Sequence, residues 1–598
     1  MIDLQDKEQR GKLLDAVQKS RDDLIPFRRT RKELLRDYVG SWWNGRGARY
    51  KTLVNLMNQT AKIYTVALAA NNPKVLVSTH SPANWAFAKR FEANLNKLIS
   101  DMNLARTFRA IVMDAFFSLG CAVVSMRDTD TRFHGLLESE EDVWFDPGEP
   151  WISRVSFDNQ ILDMTATDRS KMRFCGHRYR ADLKKVKEEP GYDKDVVAKL
   201  TATKRNSEDG EGEANDLTGE ADDDTLKDMV WLMDLWIPEN GTVATFACDL
   251  GKDHLPPLIE REWTGNQDGP YKFLSLGLVP DSVMPSSPAS NLKGLHDLQN
   301  RLHRKMERQA DREKTVNVYS PDAEDDAKEH KKAKDGDWVR SKNPRDITQV
   351  KFGGVDAATQ TFSMVIQDEY NRFAGNPSAR AGLGAQAPTA SQEAMIQEKI
   401  SEQDAAMSEA VLQFATECCT DLGWLMWHDE TLEIQSSMQI EGTDLSVDSS
   451  WPLRDEWGDR VLDGTFEDLD LTVEACSMPY KSPEQKVQEI LGTLSELAPY
   501  WPLFQASGAT IDVRALLQIV AELRSRPELT QIITFASPDD LAAATHGATQ
   551  SPVTRRETVR RNIPTGGTEQ SRGAILAQAL SNGQANQSQM GSLTRAPA

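Results

Sequence analysis

Apolar side chains recur at intervals of three or four residues over long stretches of the chain, which is the spacing of a helix with one buried face. On this pattern residues 1–135 are predicted to be mostly helical. One helix in this region has a possible cap at Asp101 or Asn103. Its buried face is predicted to hold Phe108, Ile111, Val112, Ala115, Phe116 and Leu119. Residues 151–280 mix strand-like and helical segments, so the first half of the chain should contain both types of element.

Two further helices are predicted on either side of a small strand-bearing insert. A break rich in proline and serine at 279–288 precedes a helical pattern from Asn291 to Lys314. Strand patterns follow at 316–319 and 347–352, with a charged run between them. A second helix is predicted from about Asp356 to Ala374.

One helix is predicted to be much longer than the others. It follows a loop rich in glycine and alanine at 375–390, and Thr389 with Gln392 has the spacing of a capping box at its start. Its apolar positions keep a helical period as far as about His428. Beyond it, 429–480 alternates apolar and acidic residues and is predicted to be an acid-surfaced sheet. Helices are predicted again from 481 to 545, and a tail rich in glutamine, serine and glycine ends the chain.

Charge is concentrated in two segments. The chain has 91 acidic and 70 basic side chains, a formal net charge of −21. Ten acids and one base lie in 207–228, and thirteen acids and two bases lie in 429–470, so these segments hold −20 of it. An evenly acidic surface would repel nucleic acid. Because the acidic charge is confined to two segments, it does not exclude a DNA-facing surface elsewhere on the chain. We interpret 207–228 as a solvated loop inserted in a folded domain.

Enzyme chemistry finds little support in the sequence. The Gly-Lys pairs at 11–12 and 251–252 lack the serine or threonine of a phosphate-binding loop, and we expect no cofactor. The acid pairs 455–456 and 467–468 could hold magnesium in a nuclease, but a solvated acidic surface is the simpler interpretation. Six cysteines without a CxxC pair predict reduced thiols. No apolar run reaches the ~18–20 residues of a membrane helix, so no membrane partner is expected.

Arginines recur on the helix predicted after the proline-rich break. Arg301, Arg304, Arg308 and Arg312 are three or four residues apart, so several share one face. One interpretation is a set of salt bridges within the helix to Glu307, Asp311 and Glu313. The other is a phosphate-facing stripe, which a ring of identical copies would multiply into a belt around a channel.

The order of these parts resembles the portal, or head-to-tail connector, proteins of tailed bacteriophages. The resemblance covers about residues 20–545 and is carried by RDDLIPFRRTRKELLRDYVG at 21–40, NLMNQTAKIYTVALAANNPKVLV at 55–77 and the block from 284 to 426. It implies an α+β, predominantly α-helical fold with a wing, stem, clip and crown.

The resemblance also divides the chain into regions. They would be a wing region at 1–290 that contains the acidic loop 207–228, a first stem helix at 291–315, a clip at 316–355, a second stem helix at 356–374, a tunnel loop at 375–390, a long spine helix at 391–428, an acidic wing sheet at 429–480, crown helices at 481–545 and a low-complexity tail at 546–598. Arg380 and the loop residues Gly375, Pro377, Gly382, Gly384 and Pro388 would then border the DNA channel together with the four stem arginines.

Portal proteins form rings of about twelve subunits at one capsid vertex, and the resemblance implies the same here. Double-stranded DNA would pass through the ring during packaging and ejection, driven by a separate terminase whose large subunit docks on it. Tail adaptor, major capsid and scaffolding proteins would be further partners, and the protein would be found in the virion and, during assembly, in the host cytoplasm. The alternatives are another virion structural or adaptor protein and a metal-dependent nuclease.

Overall fold

The structure is a computed structural model that divides the chain into two units, Met1–Tyr480 and Lys481–Ala598. In the first unit it describes residues 2–40, 53–127, 133–136, 142–145, 148–189, 191–202, 228–248, 255–341, 343, 345–375, 390–429, 432–439, 446–454, 460–462, 464–474 and 477–478. In the second unit it describes only a few helical positions between 487 and 520.

Helices and strands alternate irregularly along the first unit, a mixed fold that is compatible with the predicted α+β class. The described α-helices are α1 (Lys7–Val39), α2 (Leu56–Ala69), α3 (Trp85–Asp101), α4 (Leu104–Phe117), α5 (Leu183–Glu188), α6 (Lys194–Val197), α7 (Pro288–Asp311), α8 (Glu324–Lys332), α9 (Ala357–Phe373) and α10 (Ala390–His428). The described strands are β1 (Val75–Thr79), β2 (Gly120–Arg127), β3 (Phe133–Leu136), β4 (Asp142–Phe145), β5 (Glu149–Arg154), β6 (Gln160–Leu162), β7 (Cys175–Asp182), β8 (Met229–Ile237), β9 (Thr242–Ala247), β10 (Ile259–Glu262), β11 (Tyr271–Leu274), β12 (Lys314–Tyr319), β13 (Ile347–Phe352), β14 (Ile434–Gln439), β15 (Ser446–Trp451) and β16 (Leu469–Val473).

Eight of the described strands in the first half form two antiparallel sheets, while β3 pairs only with β4. One has the order β10-β9-β8-β7-β6 and the other the order β11-β2-β5. The strand β8 reads MVWLMDLWI and is buried along most of its length, as a central strand with both faces covered requires. These sheets account for the mixture of element types predicted over 151–280.

The largest hydrophobic core joins helices from both ends of the first unit. Phe91 of α3, Phe108 of α4 and Cys418 of α10 are fully buried in it, and Trp451 at the end of β15 packs edge-on against Phe91. The prediction that residues 1–135 are mostly helical is therefore confirmed for α1 to α4. The stripe predicted for α4 is buried from Phe108 to Phe116.

The predicted cap of α4 is wrong in detail. The residue Asp101 ends α3, and Asn103 stands at the cap position in the left-handed region with φ 50° and no capping hydrogen bond from its side chain. The side chain of Asn72 accepts a hydrogen bond from the backbone N–H of Ala105 at 2.6 Å. A residue distant along the chain thus satisfies the helix start, which a local pattern does not reveal.

The helix expected over 291–315 begins and ends earlier, at Pro288 and Asp311. Ser287 accepts a hydrogen bond from the backbone of Ser290, and Pro288 occupies the first turn, where its missing N–H costs nothing. The helix ends because β12 begins at Lys314 and pairs with β13 over six residue pairs. The charged run between these strands forms helix α8, with acids in its first turn and bases in its last.

The single acidic sheet expected at 429–480 is two separate strand pairs. The strands β14 and β15 form a hairpin, whereas β16 pairs with β1. The alternating residues Leu469, Leu471 and Val473 are the buried face of β16, and the partner strand comes from nearly 400 residues earlier. The prediction of strands was right and the prediction of one sheet was wrong.

Four predicted regions lie largely or wholly outside the described residues. They are the acidic loop 207–228 apart from Asp228, the loop positions 376–389, the predicted helices of 481–545 apart from a few positions, and the tail 546–598. The long helix is observed as α10, Ala390–His428, as the periodicity predicted.

Candidate nucleic-acid interface

Ion pairs with α1 hold helix α7 near its N-terminal end. Lys293 forms ion pairs with Glu33 at 3.1 Å and with Asp37 at 3.5 Å. Burial raises the pKa of Asp37, although the Lys293 ammonium acts in the opposite direction. The start of α7 is thereby fixed against the N-terminal helices.

Hydrogen bonds from side chains also fix the middle of α7 and the last turns of α9. The amide of Asn300 accepts from the backbone N–H groups of Leu53 and Val54, each at 3.1 Å. On α9, the Tyr370 hydroxyl lies 3.1 Å from the Thr60 hydroxyl in a buried contact. Both helices are therefore anchored to the region around α2.

The contact between α7 and α9 is polar. Gln299 donates to Ser363 at 3.0 Å, and Lys305 donates to Thr359 at 3.1 Å. Further along, the Asp356 backbone N–H donates to Gln309 at 3.4 Å. Along these three bonds the residue numbers rise on α7 and fall on α9. The two helices are therefore antiparallel, and the bonds fix their register.

The predicted arginines lie together on α7. They line one open cavity of about 620 Å³, and its full lining is Arg301, Arg304, Lys305, Arg308, Gln309 and Arg312. Their spacing of three, four and seven residues keeps them on neighbouring turns of one side of the helix. Sequence reasoning left Lys305 out of the candidate set, although its spacing places it in the same stripe.

The salt bridges expected between these arginines and the acids of the same helix are not observed for three of them. In the part of the chain that the structure describes, Arg301, Arg308 and Arg312 form no ion pair. The carboxylate of Glu313 pairs instead with Lys351 of β13. The Arg304 side chain donates to the Asn300 carbonyl at 3.2 Å. The cavity is therefore a concentration of positive charge, which suits an anionic partner such as a phosphate backbone.

The structure says little of the other predicted site residues. Arg380, Pro377, Gly382, Gly384 and Pro388 lie outside the described residues. Gly375 is described and has φ 65°, just after the last turn of α9. A residue without a side chain tolerates this left-handed conformation, which is typical of the position just after a helix.

A buried ion pair ties the long helix α10 to the sheet. Lys272 of β11 lies 3.1 Å from Asp421 of α10, and both side chains are almost completely buried. Burial raises the pKa of Asp421 to about 6, even though the Lys272 charge favours the ionised carboxylate. This pair sets the position of α10 relative to β11.

The nuclease alternative gains no geometry from the described residues. Asp468 accepts a hydrogen bond from the backbone of Thr465 in a capping box, which is a structural role. The pair 455–456 lies outside the described residues, and among those described no group of three or more potential metal ligands is found.

None of the described helices is both long and apolar enough to cross a membrane.

Comparison with known families gives a match over residues 143–451 to the family described as phage SU10 portal protein. The matched range is just over half of the chain. The chain belongs to this portal family. No curated protein matches the chain.

The portal match contains the whole of the candidate interface. Helices α7 and α9, the strands between them, and α10 all fall within 143–451. The block 284–426, on which the resemblance rested most, is therefore inside the matched range, whereas the segments 21–40 and 55–77 are outside it. The recognition of a phage portal protein from the sequence is confirmed.

Proposed function

We propose that this portal protein forms a ring of about twelve copies at one capsid vertex and that double-stranded DNA passes through the ring during packaging and ejection. The observation that carries the proposal is the basic cavity on α7, in a chain of the portal family. Helices α7 and α9 are its stem, and the segment from β12 to β13 is its clip. The long helix α10 is its spine.

The chemistry of the cavity suits sliding and not tight binding. Guanidinium and ammonium groups attract phosphates without reading sequence, because the attraction is to the backbone. One chain offers too few charges to hold a duplex, but about twelve copies would repeat the arginine stripe of α7 around the channel. The two acidic segments, which carry −20 of the net charge, would discourage DNA from adhering elsewhere.

Docking of other proteins is proposed for the clip. The strands β12 and β13 expose the apolar side chains Val316, Val318 and Phe352 on one face, and Trp338 of the same segment is fully exposed. Exposed aromatic and apolar side chains of this kind are typical of protein-binding surfaces. We assign this surface to the terminase large subunit during packaging and to tail adaptor proteins afterwards.

The ring would assemble in the host cytoplasm together with scaffolding and major capsid proteins and would then remain in the virion. No nucleotide chemistry is assigned to the chain itself, so the energy for DNA movement comes from the terminase. This division of labour agrees with the missing phosphate-binding loop.

Replacement of the stem arginines tests the DNA role. A variant with alanine at Arg301, Arg304, Arg308 and Arg312 is expected to form rings but to package or retain DNA at least about tenfold less well, because the phosphate attraction is lost. The measurement is protected DNA per particle after in vitro packaging, with ring formation checked by native mass spectrometry.

The matched control replaces four exposed lysines of the segment that contains α5 and α6, Lys184, Lys187, Lys194 and Lys199, by alanine. This control removes the same charge outside the stem. Unchanged packaging and retention in the stem variant would contradict the proposal, and so would an equal loss of retained DNA in both variants.

A further inference from the structure

One flank of α9 carries a row of large apolar side chains that no described element covers. Phe362, Val365 and Phe373, which we call the ridge, are 47%, 46% and 71% exposed. The inward face of the same helix is occupied by the buried residues Ile366 and Tyr370. An apolar row beside an already buried face indicates a surface that is covered in an assembly.

The opposite flank of α9 forms a groove with α7 that is lined by five apolar and five polar side chains. This open cavity has a volume of about 610 Å³. Its apolar lining, which we call the groove, is Leu53, Met306, Ala310, Val355 and Met364. Each helical residue turns by about 100°, so Phe362 and Met364, two positions apart, stand on opposite sides of the helix pair.

Phe362 of the ridge lies at the same height along the helix pair as the groove, whereas Phe373 lies about 16 Å further along α9. The hydrogen bonds Gln299–Ser363 and Lys305–Thr359 set the antiparallel register. Phe362 is therefore level with the groove residues near Met364. A contact that joins surfaces at equal height needs little translation along the helix pair, and a head-to-tail contact without translation along its rotation axis forms a ring where the rotation closes.

Charge on the two flanks is complementary as well. Helical rotation places Arg301 and Lys305 on the ridge side of α7, where they line the basic cavity. Glu307 lies on the other side and lines the groove. In a head-to-tail contact the basic flank of one copy faces Glu307 of the next, which favours this pairing over a contact between like flanks.

We infer that the ridge of one copy packs into the groove of a second copy of this chain, and that this head-to-tail contact closes the ring. The inference rests on the proposed function, because it specifies how the proposed ring is joined. Arg304 and Arg308 lie on the side of α7 turned away from α9, so this contact leaves that side toward the channel.

Two single substitutions on α9 test the contact. Phe362→Asp places a charge on the ridge and Met364→Asp places one in the groove, and both positions are exposed, 47% and 57%, in one chain. Each variant alone is expected to lose the ring and remain monomeric in native mass spectrometry of the full chain. Thr361→Asp, an exposed neighbour on the outer side of the same helix, adds the same charge and should leave the ring intact.

An equimolar mixture of the two variants gives the sharpest outcome. The intact ridge of the Met364→Asp chain fits the intact groove of the Phe362→Asp chain, so dimers should form, but the next contact joins two damaged surfaces and no ring should appear.

Rings that persist in both variants would assign the two flanks to another partner, such as a capsid or tail protein, and would overturn the inference while leaving the proposed ring standing. A wild-type chain that is monomeric at every concentration would overturn the ring and the contact together.

Discussion

Asp114 of α4 is a buried carboxylate shared by two arginines from distant parts of the chain. Arg31 of α1 donates to it at 2.9 Å, and Arg154 of β5 donates to both of its oxygens, at 2.5 and 2.9 Å. Arg31 also reaches the buried Asp158 at 3.1 Å. Three elements are therefore joined by charge-assisted hydrogen bonds inside the fold.

Loss of the Asp114 charge should be strongly destabilising. The substitution Asp114→Asn keeps the side-chain shape but removes the carboxylate that Arg154 pairs with, and it leaves the deeply buried Arg31 with Asp158 alone. We expect a loss of about 3–5 kcal/mol in the free energy of unfolding. Urea unfolding followed by tryptophan fluorescence measures it.

A surface pair supplies the control for this prediction. Lys97 and Asp101 are 2.6 Å apart but half exposed to water. Asp101→Asn should therefore cost less than about 1 kcal/mol. Equal losses at the two sites would mean that the buried network contributes no more than a surface ion pair.

Sequence reasoning located the arginine stripe of α7 but not this network. The spacing of Arg301, Arg304, Arg308 and Arg312 is a local pattern, so it can be read along the chain. Asp114 lies among apolar residues of α4, and nothing local indicates that it meets Arg31 from 83 positions earlier. Burial of a paired charge depends on tertiary contacts that the sequence order does not display.

At the scale of elements, the pair Lys272–Asp421 holds α10 against β11, and it makes stability depend on pH. The folded pKa of Asp421 is raised to about 6 from an ordinary value of 3.8, so between these values the folded chain binds more protons than the unfolded one. Stability from this group is present at low pH and is lost as pH rises toward 6. Relative to Asp421→Asn, the wild type should lose about 2 kcal/mol between pH 4 and pH 7.

Urea titrations of both chains at several pH values test this prediction. The difference between them isolates Asp421, because all other titrating groups are shared. The prediction is contradicted if the wild type gains stability over Asp421→Asn as pH rises, since that would mean that attraction to Lys272 outweighs the cost of burying the carboxylate.

Helices with a regular apolar period could be predicted from the sequence, whereas the pairing partners of the strands could not. The helices α7, α9 and α10 follow from apolar spacing, and the start of α7 was missed by three residues because the cap Ser287 precedes the apolar stripe. The short helix α8 was missed because its charged sequence has no apolar period. The partner of β16 could not be predicted, because β1 lies at the other end of the unit.

At the scale of the whole molecule, the proposed function depends on basic charge that many copies together would supply. Two acidic segments hold almost all of the net charge of −21, and the rest of the chain is nearly neutral. The basic cavity on α7 lies in this nearly neutral part. Repetition of that cavity around an axis would turn a weak attraction for phosphate into a continuous lining. The inferred contact between the ridge of one copy and the groove of the next would join the copies into a closed ring.

The most direct test of the DNA channel is a photo-crosslink from the stem to DNA. A photoreactive side chain placed at Arg308 in assembled, DNA-filled particles should form adducts with DNA on irradiation, whereas the same group at Thr361, on the face of α9 turned away from α7, should not. Adducts at position 308 that depend on packaged DNA are the predicted result. Their absence in filled particles, or equal adducts at position 361, would contradict a channel lined by the arginine stripe of α7.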